Sequence, residues 1–297
     1  MMSEMVPMSN VIQGFWRLAD WNYTKKETNA LLHQLIDRGI TAMDHADIYG
    51  GYSCETLFGE ALSVTPELRK DMHIITKCGI VLPSDKMGFD YHKYDYSAEH
   101  ITASVNRSLT ELQIDEIDTL LLHRPSPLMD PEAVAHTLKM LQQQGKVRQF
   151  GVSNFKLHQY SPFKEAMTRQ KLAVKVNQLE ISAAELENLE DGTVNRMLQD
   201  DVTIMAWSPL GGGRLFDPEH KPTAAVRKEL EAIAQKHQTT PDVIAYAWLY
   251  HMPYRIRPIV GSRSIARAEA ALQAKHVKLT DNEWFEIYKR CLGRDIL

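Results

Sequence analysis

The chain has 297 residues, of which 44% are hydrophobic and 24% are charged, and these proportions are typical of globular proteins rather than disordered or fibrous ones. One α/β barrel reaches this length, so we expect a single domain over residues 1–297. The formal net charge of −4 provides no basic stripe to neutralise phosphates, which argues against a nucleic-acid partner.

The cysteines and the N-terminal segment indicate a cellular compartment. Cys54, Cys78 and Cys291 are widely spaced and form neither a CxxC pair nor a disulfide framework, which fits a reducing environment. The first residues lack a basic segment followed by an apolar stretch, and no apolar run is long enough to span a bilayer. We therefore expect a cytoplasmic protein without membrane contact.

Short β-rich segments alternate with longer amphipathic segments along the chain, a pattern typical of βαβ units around a parallel sheet. Eight segments are predicted to be strands: residues 11–16, 41–46, 73–79, 117–123, 147–153, 175–181, 202–208 and 256–262. Eight strands predict an α/β fold of the TIM-barrel type, a (β/α)8 barrel with its active site at the C-terminal face of the strands.

The intervening segments carry helix signals. Residues 24–38 end before a glycine, residues 97–113 open with the cap Ser97, and residues 131–144 start at Pro131 and precede a glycine. Residues 280–293 form a final amphipathic segment. The longest insertions, residues 81–96 and 211–223, follow strands and should overhang the active-site face.

Three consecutive predicted strands each end in a polar residue: Asp44, Lys77 and His123. Tyr49 follows in the loop or first turn after the second strand, and the carboxyl ends of barrel strands converge on one site. A lysine ammonium favours the phenolate of a neighbouring tyrosine and should lower its pKa, while an aspartate keeps the lysine charged. A histidine can hydrogen-bond a carbonyl oxygen as charge develops there. The set predicts carbonyl reduction with Tyr49 as proton donor.

Residues 44–62, DHADIYGGYSCETLFGEAL, resemble the signature of the aldo-keto reductase family, as in its bacterial branch. The resemblance continues in order through TKCG at Lys77, LLLHRP at His123, and residues 145–155, 177–182, 206–215 and 259–269. It implies that Asp44, Tyr49, Lys77 and His123 form the catalytic tetrad of an NADPH-dependent aldehyde or ketone reductase.

The same resemblance implies a set of cofactor contacts. Ser153, Asn154 and Gln178 would hold the nicotinamide carboxamide, and Trp207, where many members have tyrosine, would stack on the nicotinamide. The remaining contacts fall in two loops: Ser208, Leu210, Gly213 and Arg214 at the pyrophosphate, and Ser262, Arg263 and Arg267 at the adenosine 2′-phosphate. Two arginines at a phosphate favour NADPH over NADH. Where the family often has Glu-Asn facing the adenine, this chain has Ala270 and Ala271.

Several nearby residues have simpler interpretations. His45 beside Asp44 suggests a metal ligand, but no HxH spacing accompanies it, so we expect a core role and no metal. Cys54 is expected to be a small packed thiol. Three aromatic residues end or follow the first strand: Phe15, Trp16 and Trp21. The sequence is equally compatible with their lining the substrate pocket and with their packing within the loop. Trp16 and Trp21 are our candidate substrate contacts.

Two other functions compete with the reductase. A regulatory subunit that senses its cofactor would keep the fold and the tetrad, although no long docking extension is visible. A metal-dependent barrel hydrolase would need His and carboxylate clusters at the strand ends, where this chain has lysine, tyrosine and amides. The short C-terminal helix predicts an open pocket for varied small carbonyl substrates, and we favour a monomer.

Overall fold

Eight parallel strands close into a barrel in the computed structural model, which describes residues 5–296. The strands follow one another around the barrel in chain order, and every neighbouring pair is parallel. The predicted (β/α)8 barrel is therefore confirmed, with a strand inside or overlapping each predicted segment. The barrel strands are β1 (Ile12–Gly14), β2 (Ala42–Asp44), β3 (His73–Cys78), β6 (Ile117–Leu122), β7 (Val147–Ser153), β8 (Val174–Glu180), β9 (Thr203–Trp207) and β10 (Ile256–Val260).

Helices separate the strands, and the four predicted helical segments are confirmed. Ser97 caps its helix as expected, because its hydroxyl accepts a hydrogen bond from the His100 amide, and Pro131 is the first residue of its helix. The helices are α1 (Lys25–Asp37), α2 (Tyr49–Tyr52), α3 (Cys54–Leu62), α4 (Ala98–Leu112), α5 (Pro131–Gln143), α6 (Leu157–Arg169), α7 (Glu187–Glu190), α8 (Thr193–Gln199), α9 (Ala224–Lys236), α10 (Pro241–His251), α11 (Ile265–Gln273) and α12 (Asp281–Leu292).

The insertion at residues 81–96 contains a small hairpin that the sequence did not indicate. Strands β4 (Ile80–Val81) and β5 (Lys93–Tyr94) pair antiparallel beside the barrel. Gly79 precedes the hairpin at a φ of +104°, and a Cβ there would lie 2.1 Å from the Tyr96 ring, so only glycine allows this close approach. The Tyr96 hydroxyl then hydrogen-bonds the backbone of Arg124, which ties the hairpin to the loop after β6.

The interior of the barrel is filled by one apolar layer to which seven strands contribute. The eighth, β7, contributes Gly151, where a Cβ would lie 2.6 Å from the Val176 carbonyl oxygen and 2.7 Å from the Leu121 side chain. Glycine at this point therefore lets the neighbouring side chains meet across the barrel. The layer consists of Ile12, Ala42, Ile75, Leu121, Val176, Met205 and Ile259.

The C-terminal helix α12 is fastened to the outer helices rather than standing free. The Trp284 ring stacks on the Trp248 ring with centroids 5.1 Å apart and planes 5° apart. Each indole N–H also donates to the backbone oxygen of the other tryptophan, at 3.2 and 3.0 Å. None of the helices within residues 5–296 combines the length and apolar composition needed to cross a bilayer.

Candidate active site

The apolar layer fixes which side chains reach the mouth of the barrel. Side chains two residues apart on a strand lie on the same face, so the next inward-facing layer follows two positions closer to the carboxyl ends of the strands. Trp207 illustrates this, since it packs against the interior layer from above. The positions in this second layer are Gly14, Asp44, Lys77, His123, Ser153, Gln178, Trp207 and Gly261. Six of these positions hold residues that the sequence predicts to be functional: Asp44, Lys77, His123, Ser153, Gln178 and Trp207.

The predicted tetrad meets around one buried ammonium group. Lys77 Nζ lies 2.8 and 2.9 Å from the two carboxylate oxygens of Asp44 and 3.0 Å from the hydroxyl of Tyr49. It also donates to the backbone oxygen of His45 at 2.7 Å. The His123 ring meets the Tyr49 ring edge to face, with centroids 5.9 Å apart. The four residues therefore form one cluster, with the lysine as its centre.

A tight turn brings Tyr49 back over the strand ends. The Asp47 amide donates to the Lys77 carbonyl, and the Tyr49 amide donates to the Ala46 carbonyl, both at 3.1 Å. Gly50 and Gly51 follow with φ values of +59° and +61°, which L residues with side chains rarely adopt. At Gly50 a Cβ would also lie 2.7 Å from the Cys54 sulfur. The glycine pair thus allows the chain to reverse immediately after the tyrosine.

Protonation of the tetrad follows from its burial and from Lys77. Burial lowers the pKa of Lys77, but Asp44 and Tyr49 raise it, and the net shift is upward, so the ammonium stays charged. Burial raises the pKa of Tyr49, and the nearby Lys77 offsets only part of this shift. The expected lowering of the Tyr49 pKa is therefore wrong, because burial outweighs the lysine. Burial, followed by Lys77 and Arg124, lowers the pKa of His123 well below its usual range. At neutral pH the site holds a protonated phenol and a neutral imidazole.

The four residues predicted to meet the nicotinamide form a connected chain that begins at the tetrad. Gln178 Nε2 donates to Asp44 Oδ1 at 2.9 Å, and Ser153 Oγ donates to the Gln178 carbonyl at 3.2 Å. Asn154 Nδ2 donates to Ser153 Oγ at 2.7 Å, and Trp207 Nε1 donates to Asn154 Oδ1 at 3.0 Å. These bonds fix the indole of Trp207 at the rim of the tetrad, in a position where a flat ring can stack on it.

The predicted pyrophosphate loop follows β9 with an unusual backbone. Ser208 has a φ of +48°, and Gly213 has a φ of +99° with open space where a Cβ would be. Leu210 packs partly against the core. Arg214 does not point freely outward, because its Nε donates to the Gly211 carbonyl at 2.8 Å and its Nη2 lies 3.4 Å from Glu180. The arginine braces the loop, and the open backbone surface at Gly213 leaves room for a ligand.

The predicted 2′-phosphate residues line a polar cleft of about 490 Å³ next to Gly261. Arg263 donates to the Trp21 carbonyl at 3.1 Å and covers the Tyr23 ring, whereas Arg267 makes no side-chain hydrogen bond or ion pair within residues 5–296. The Ser262 hydroxyl accepts from the Ser264 amide at 3.1 Å. The lining contains three guanidinium groups and one carboxylate: Arg17, Arg263, Arg267 and Asp20. An excess of guanidinium groups with one side chain unpaired fits a phosphate group.

Comparisons with known proteins show the family to which this chain belongs. The family model described as the Aldo/keto reductase family matches residues 10–290. The chain belongs to the aldo/keto reductase family. It is 48% identical to the uncharacterized oxidoreductase YcsN of Bacillus subtilis, with 99% of this chain and 98% of that protein covered.

Two further proteins are similar to this aldo-keto reductase, one in sequence and one in structure. The 6-dehydroglucose reductase of Agrobacterium fabrum is 36% identical, with 99% of this chain and 98% of that protein covered. The solved thermostable aldo-keto reductase Tm1743, in complex with the inhibitor epalrestat, superposes with a TM-score of 0.78 at 25% identity and covers 98% of this chain and 100% of its own. This aldo-keto reductase is therefore an oxidoreductase of a carbonyl-reducing family.

His45 belongs to the core of the aldo-keto reductase, as the sequence indicated. It is fully buried, stacks on Phe15 with centroids 4.8 Å apart and meets Phe58 edge to face at 4.3 Å. Burial and the nearby Lys77 lower the pKa of His45 to about 3, so the ring is neutral at working pH. Cys54 is likewise buried at the start of α3.

Trp16 and Trp21, the candidate substrate contacts, occupy different surroundings. Trp16 is 60% exposed in the loop after β1, with the Arg17 guanidinium over its ring. Trp21 is buried and packs against Phe15 at 5.9 Å, so packing accounts for its position. A substrate contact remains a prediction for both. Ala270 and Ala271 are both buried residues of α11.

Two buried carboxyl groups behind the tetrad were not singled out from the sequence. Glu55 on α3 accepts hydrogen bonds from Thr76 at 2.5 Å and from Ser108 at 2.8 Å. Burial raises the pKa of Glu55 to about 8, although both hydroxyls lower it. Because Thr76 immediately precedes Lys77 and α3 follows Tyr49, Glu55 connects the segments that carry Lys77 and Tyr49.

Asp47 forms the second buried carboxyl contact, on the same side of the barrel. It accepts from the Ser104 hydroxyl at 2.5 Å and pairs with Arg107 at 3.1 Å, while burial raises its pKa to about 6. The sequence did contain a signal for these buried hydrogen bonds, in the two serines of α4. Ser104 and Ser108 are four residues apart on one helix, so they share a face, and both fall on the apolar side of α4.

Proposed function

We propose that this aldo-keto reductase reduces aldehydes or ketones with NADPH, and that Tyr49 donates the proton. The observation that supports this most directly is the buried Lys77 ammonium, which contacts Asp44 and the Tyr49 hydroxyl at once. A charged donor at 3.0 Å favours the phenolate left behind after Tyr49 releases its proton. A tyrosine without a neighbouring ammonium group would have no such stabilisation of its phenolate.

The side chains divide the work at the carbonyl oxygen. Tyr49 is protonated before the reaction, so it can give a proton to that oxygen, and Lys77 then stabilises the resulting negative charge. His123 is neutral and has one ring N–H available, which can donate a hydrogen bond to the same oxygen without adding a proton to the site. Bound NADPH supplies the hydride for the carbonyl carbon.

The residues present fit NADPH. Ser153, Asn154 and Gln178 offer hydroxyl and amide groups beside the tetrad, and the indole of Trp207 offers a flat surface there. Gly213 offers open backbone, and the cleft with Ser262, Arg263 and Arg267 has the excess positive charge that a 2′-phosphate requires. We assign Ser208, Leu210 and Arg214 to the intervening loop, as positioning groups for the pyrophosphate.

The relatives narrow the substrates to be examined. The 36% identical protein of Agrobacterium fabrum is named for reduction of 6-dehydroglucose, a sugar that carries an aldehyde. The C-terminal helix of this chain packs on the outer helices through Trp248 and Trp284, which supports an open barrel mouth. We therefore propose aldehydes of small polar molecules, sugars included, as substrates.

The test combines cofactor binding with turnover. NADPH and NADH are titrated against the purified protein while tryptophan fluorescence is followed, since stacking on Trp207 should quench it. Oxidation of NADPH is then measured with a panel of aldehydes, ketones and 6-dehydroglucose. We expect tight NADPH binding, weaker NADH binding and turnover of part of the panel. If neither NADPH nor NADH binds, the cofactor assignment is refuted. Binding of NADPH without turnover of any substrate would favour the regulatory-subunit alternative.

The variant Tyr49→Phe tests the proton donor itself. It removes the hydroxyl that Lys77 contacts and leaves the ring, so we expect turnover to fall by a factor of at least about 10² with nearly unchanged NADPH affinity. Tyr254→Phe is the matched control, because it removes a hydroxyl bonded to Asn195, outside the tetrad and the cofactor residues. Equal losses in the two variants, or a parallel loss of NADPH binding in Tyr49→Phe, would remove the role of Tyr49.

A further inference from the structure

Arg124 follows His123 directly, and its backbone is held firmly at the mouth of the barrel. The Arg124 amide donates to the Tyr96 hydroxyl at 3.1 Å, and that hydroxyl donates in turn to the Arg124 carbonyl. Tyr96 is itself buried against Gly79 at the base of the hairpin. The residue after the catalytic histidine is thus anchored from a second loop, which restricts where its side chain can go.

The guanidinium of Arg124 lies over the indole of Trp207 and has no anionic partner among residues 5–296. Its central carbon is 5.7 Å from the ring centroid. Within residues 5–296 the side chain makes neither a hydrogen bond nor an ion pair within 4.0 Å, and it is only partly buried. Glu180 feels the charge of Arg124, but its oxygen is contacted by Arg214, at 3.4 Å. Five N–H donors are therefore available beside the tetrad.

The charge of Arg124 reaches the reacting groups. It lowers the pKa of His123, after burial and Lys77, and it is among the groups that lower the pKa of Tyr49 against the larger effect of burial. A substrate whose carbonyl oxygen meets Tyr49 and His123 will place its remaining atoms in the field of this guanidinium. Partial burial next to an indole strengthens a cation's attraction for a charged group, since less water competes for it.

We propose that Arg124 binds an oxyanion of the substrate, so that the enzyme prefers carbonyl compounds that also carry a carboxylate or a phosphate. This inference rests on the proposed reductase function and adds the substrate class to it. Guanidinium presents paired N–H groups that match two oxygens of either anion. The guanidinium already lies over the Trp207 indole at the mouth of the barrel, so an anion that binds it would lie beside the tetrad.

Matched substrate pairs test the preference. 3- and 4-carboxybenzaldehyde are compared with their methyl esters, and glyceraldehyde 3-phosphate with glyceraldehyde, in the wild-type protein and in Arg124→Gln. We expect the anionic members to have the higher kcat/KM, and the variant to raise their KM by about ten- to a hundredfold while the neutral members change little. Arg124→Lys should restore part of the preference. Whichever anion shows the larger loss identifies the source of the oxyanion.

Arg255→Gln is the charge control. Arg255 is an exposed arginine paired with Asp201 beside the start of β10, at the opposite end of the barrel strands. If removal of this distant charge changed the preference as much as Arg124→Gln, long-range attraction would replace the contact that we propose. Equal kcat/KM for anionic and neutral members in the wild-type protein would also overturn it. So would a similar loss for 6-dehydroglucose and the carboxybenzaldehydes in Arg124→Gln.

A binding measurement separates this inference from the reductase function. Benzoate and benzamide are titrated against the wild-type protein while tryptophan fluorescence is followed, since Arg124 lies over Trp207. If the wild-type protein binds benzoate but not benzamide, and Arg124→Gln loses the benzoate binding, the anion contact is supported even if no carbonyl compound is reduced. Unchanged benzoate binding, or a weaker NADPH affinity as the main effect of the variant, would overturn it and assign Arg124 to another partner.

Discussion

Replacing Glu55 by glutamine should make the stability of the protein much less dependent on pH. Glutamine keeps the shape of a protonated carboxyl group and can retain the bonds to Thr76 and Ser108. The wild-type Glu55 has a pKa of about 8 in the folded protein, against an ordinary 4.5. Because the folded pKa is raised, the folded state holds the proton more tightly, and this contribution to stability is complete below pH 4.5 and disappears as the pH rises through about 8.

The size of the effect follows from the shift. At about 1.4 kcal/mol for each pKa unit, ionisation of buried Glu55 costs at most about 5 kcal/mol of unfolding free energy by pH 9. For a chain of this size that corresponds to a difference in Tm on the order of 10 °C. Glu55→Gln should therefore unfold close to the wild type at pH 5 and well above it at pH 9.

Thermal unfolding of both proteins between pH 5 and pH 9 measures this gap. Glu60→Gln supplies the control, since Glu60 lies on the same helix with its side chain exposed, and it should follow the wild type throughout. A constant difference in Tm between Glu55→Gln and the wild type across the pH range would refute the argument, because a neutral substitution without linkage would behave in that way. A difference in Tm that grows toward low pH would also refute it, because it would mean that the folded pKa of Glu55 is lowered and not raised.

The remaining predictions concern the cofactor cleft and the packing of α3. Arg267→Ala should weaken NADPH binding by about ten- to a hundredfold and leave NADH binding nearly unchanged in fluorescence titrations. The Arg267 side chain makes no hydrogen bond or ion pair within residues 5–296, so it is free to bind the 2′-phosphate that only NADPH carries. An unchanged preference for NADPH would assign the 2′-phosphate contact to another residue. Gly59→Ala should lower the unfolding free energy by about 1–3 kcal/mol, since its Cβ would meet the Glu111 carbonyl oxygen at 2.0 Å. A higher Tm, the usual effect of alanine in a helix, would show that α3 and α4 shift apart easily.

The barrel could be predicted because its strands are separated by helices with clear caps and are marked by apolar runs. Asp44, Lys77 and His123 could be placed together since each ends a strand, and barrel strands end on one face. The hairpin around Gly79 could not, because strands of two residues show no alternation. Its anchoring of Arg124 through Tyr96 depends on a contact between loops that are distant in sequence.

Burial explains what the sequence could not supply about the site. The sequence shows that Lys77 and Tyr49 meet, but the degree of burial decides the net direction of the Tyr49 pKa. In the same way, Glu55 and Asp47 look like ordinary helix and loop acids until α4 is packed over them. Electrostatic conclusions from the sequence are therefore sound for contacts and weaker for the balance between contact and solvent.

The interlocked pair of Trp248 and Trp284 provides a spectroscopic marker of its own. Two parallel indoles at 5.1 Å couple their electronic transitions, so the pair should give an exciton couplet in circular dichroism. The couplet reports whether the C-terminal helix is seated, while the fluorescence of Trp207 reports on the barrel mouth. Loss of the couplet before loss of the helical signal on heating would reveal that the C-terminal helix detaches first, with the barrel still folded.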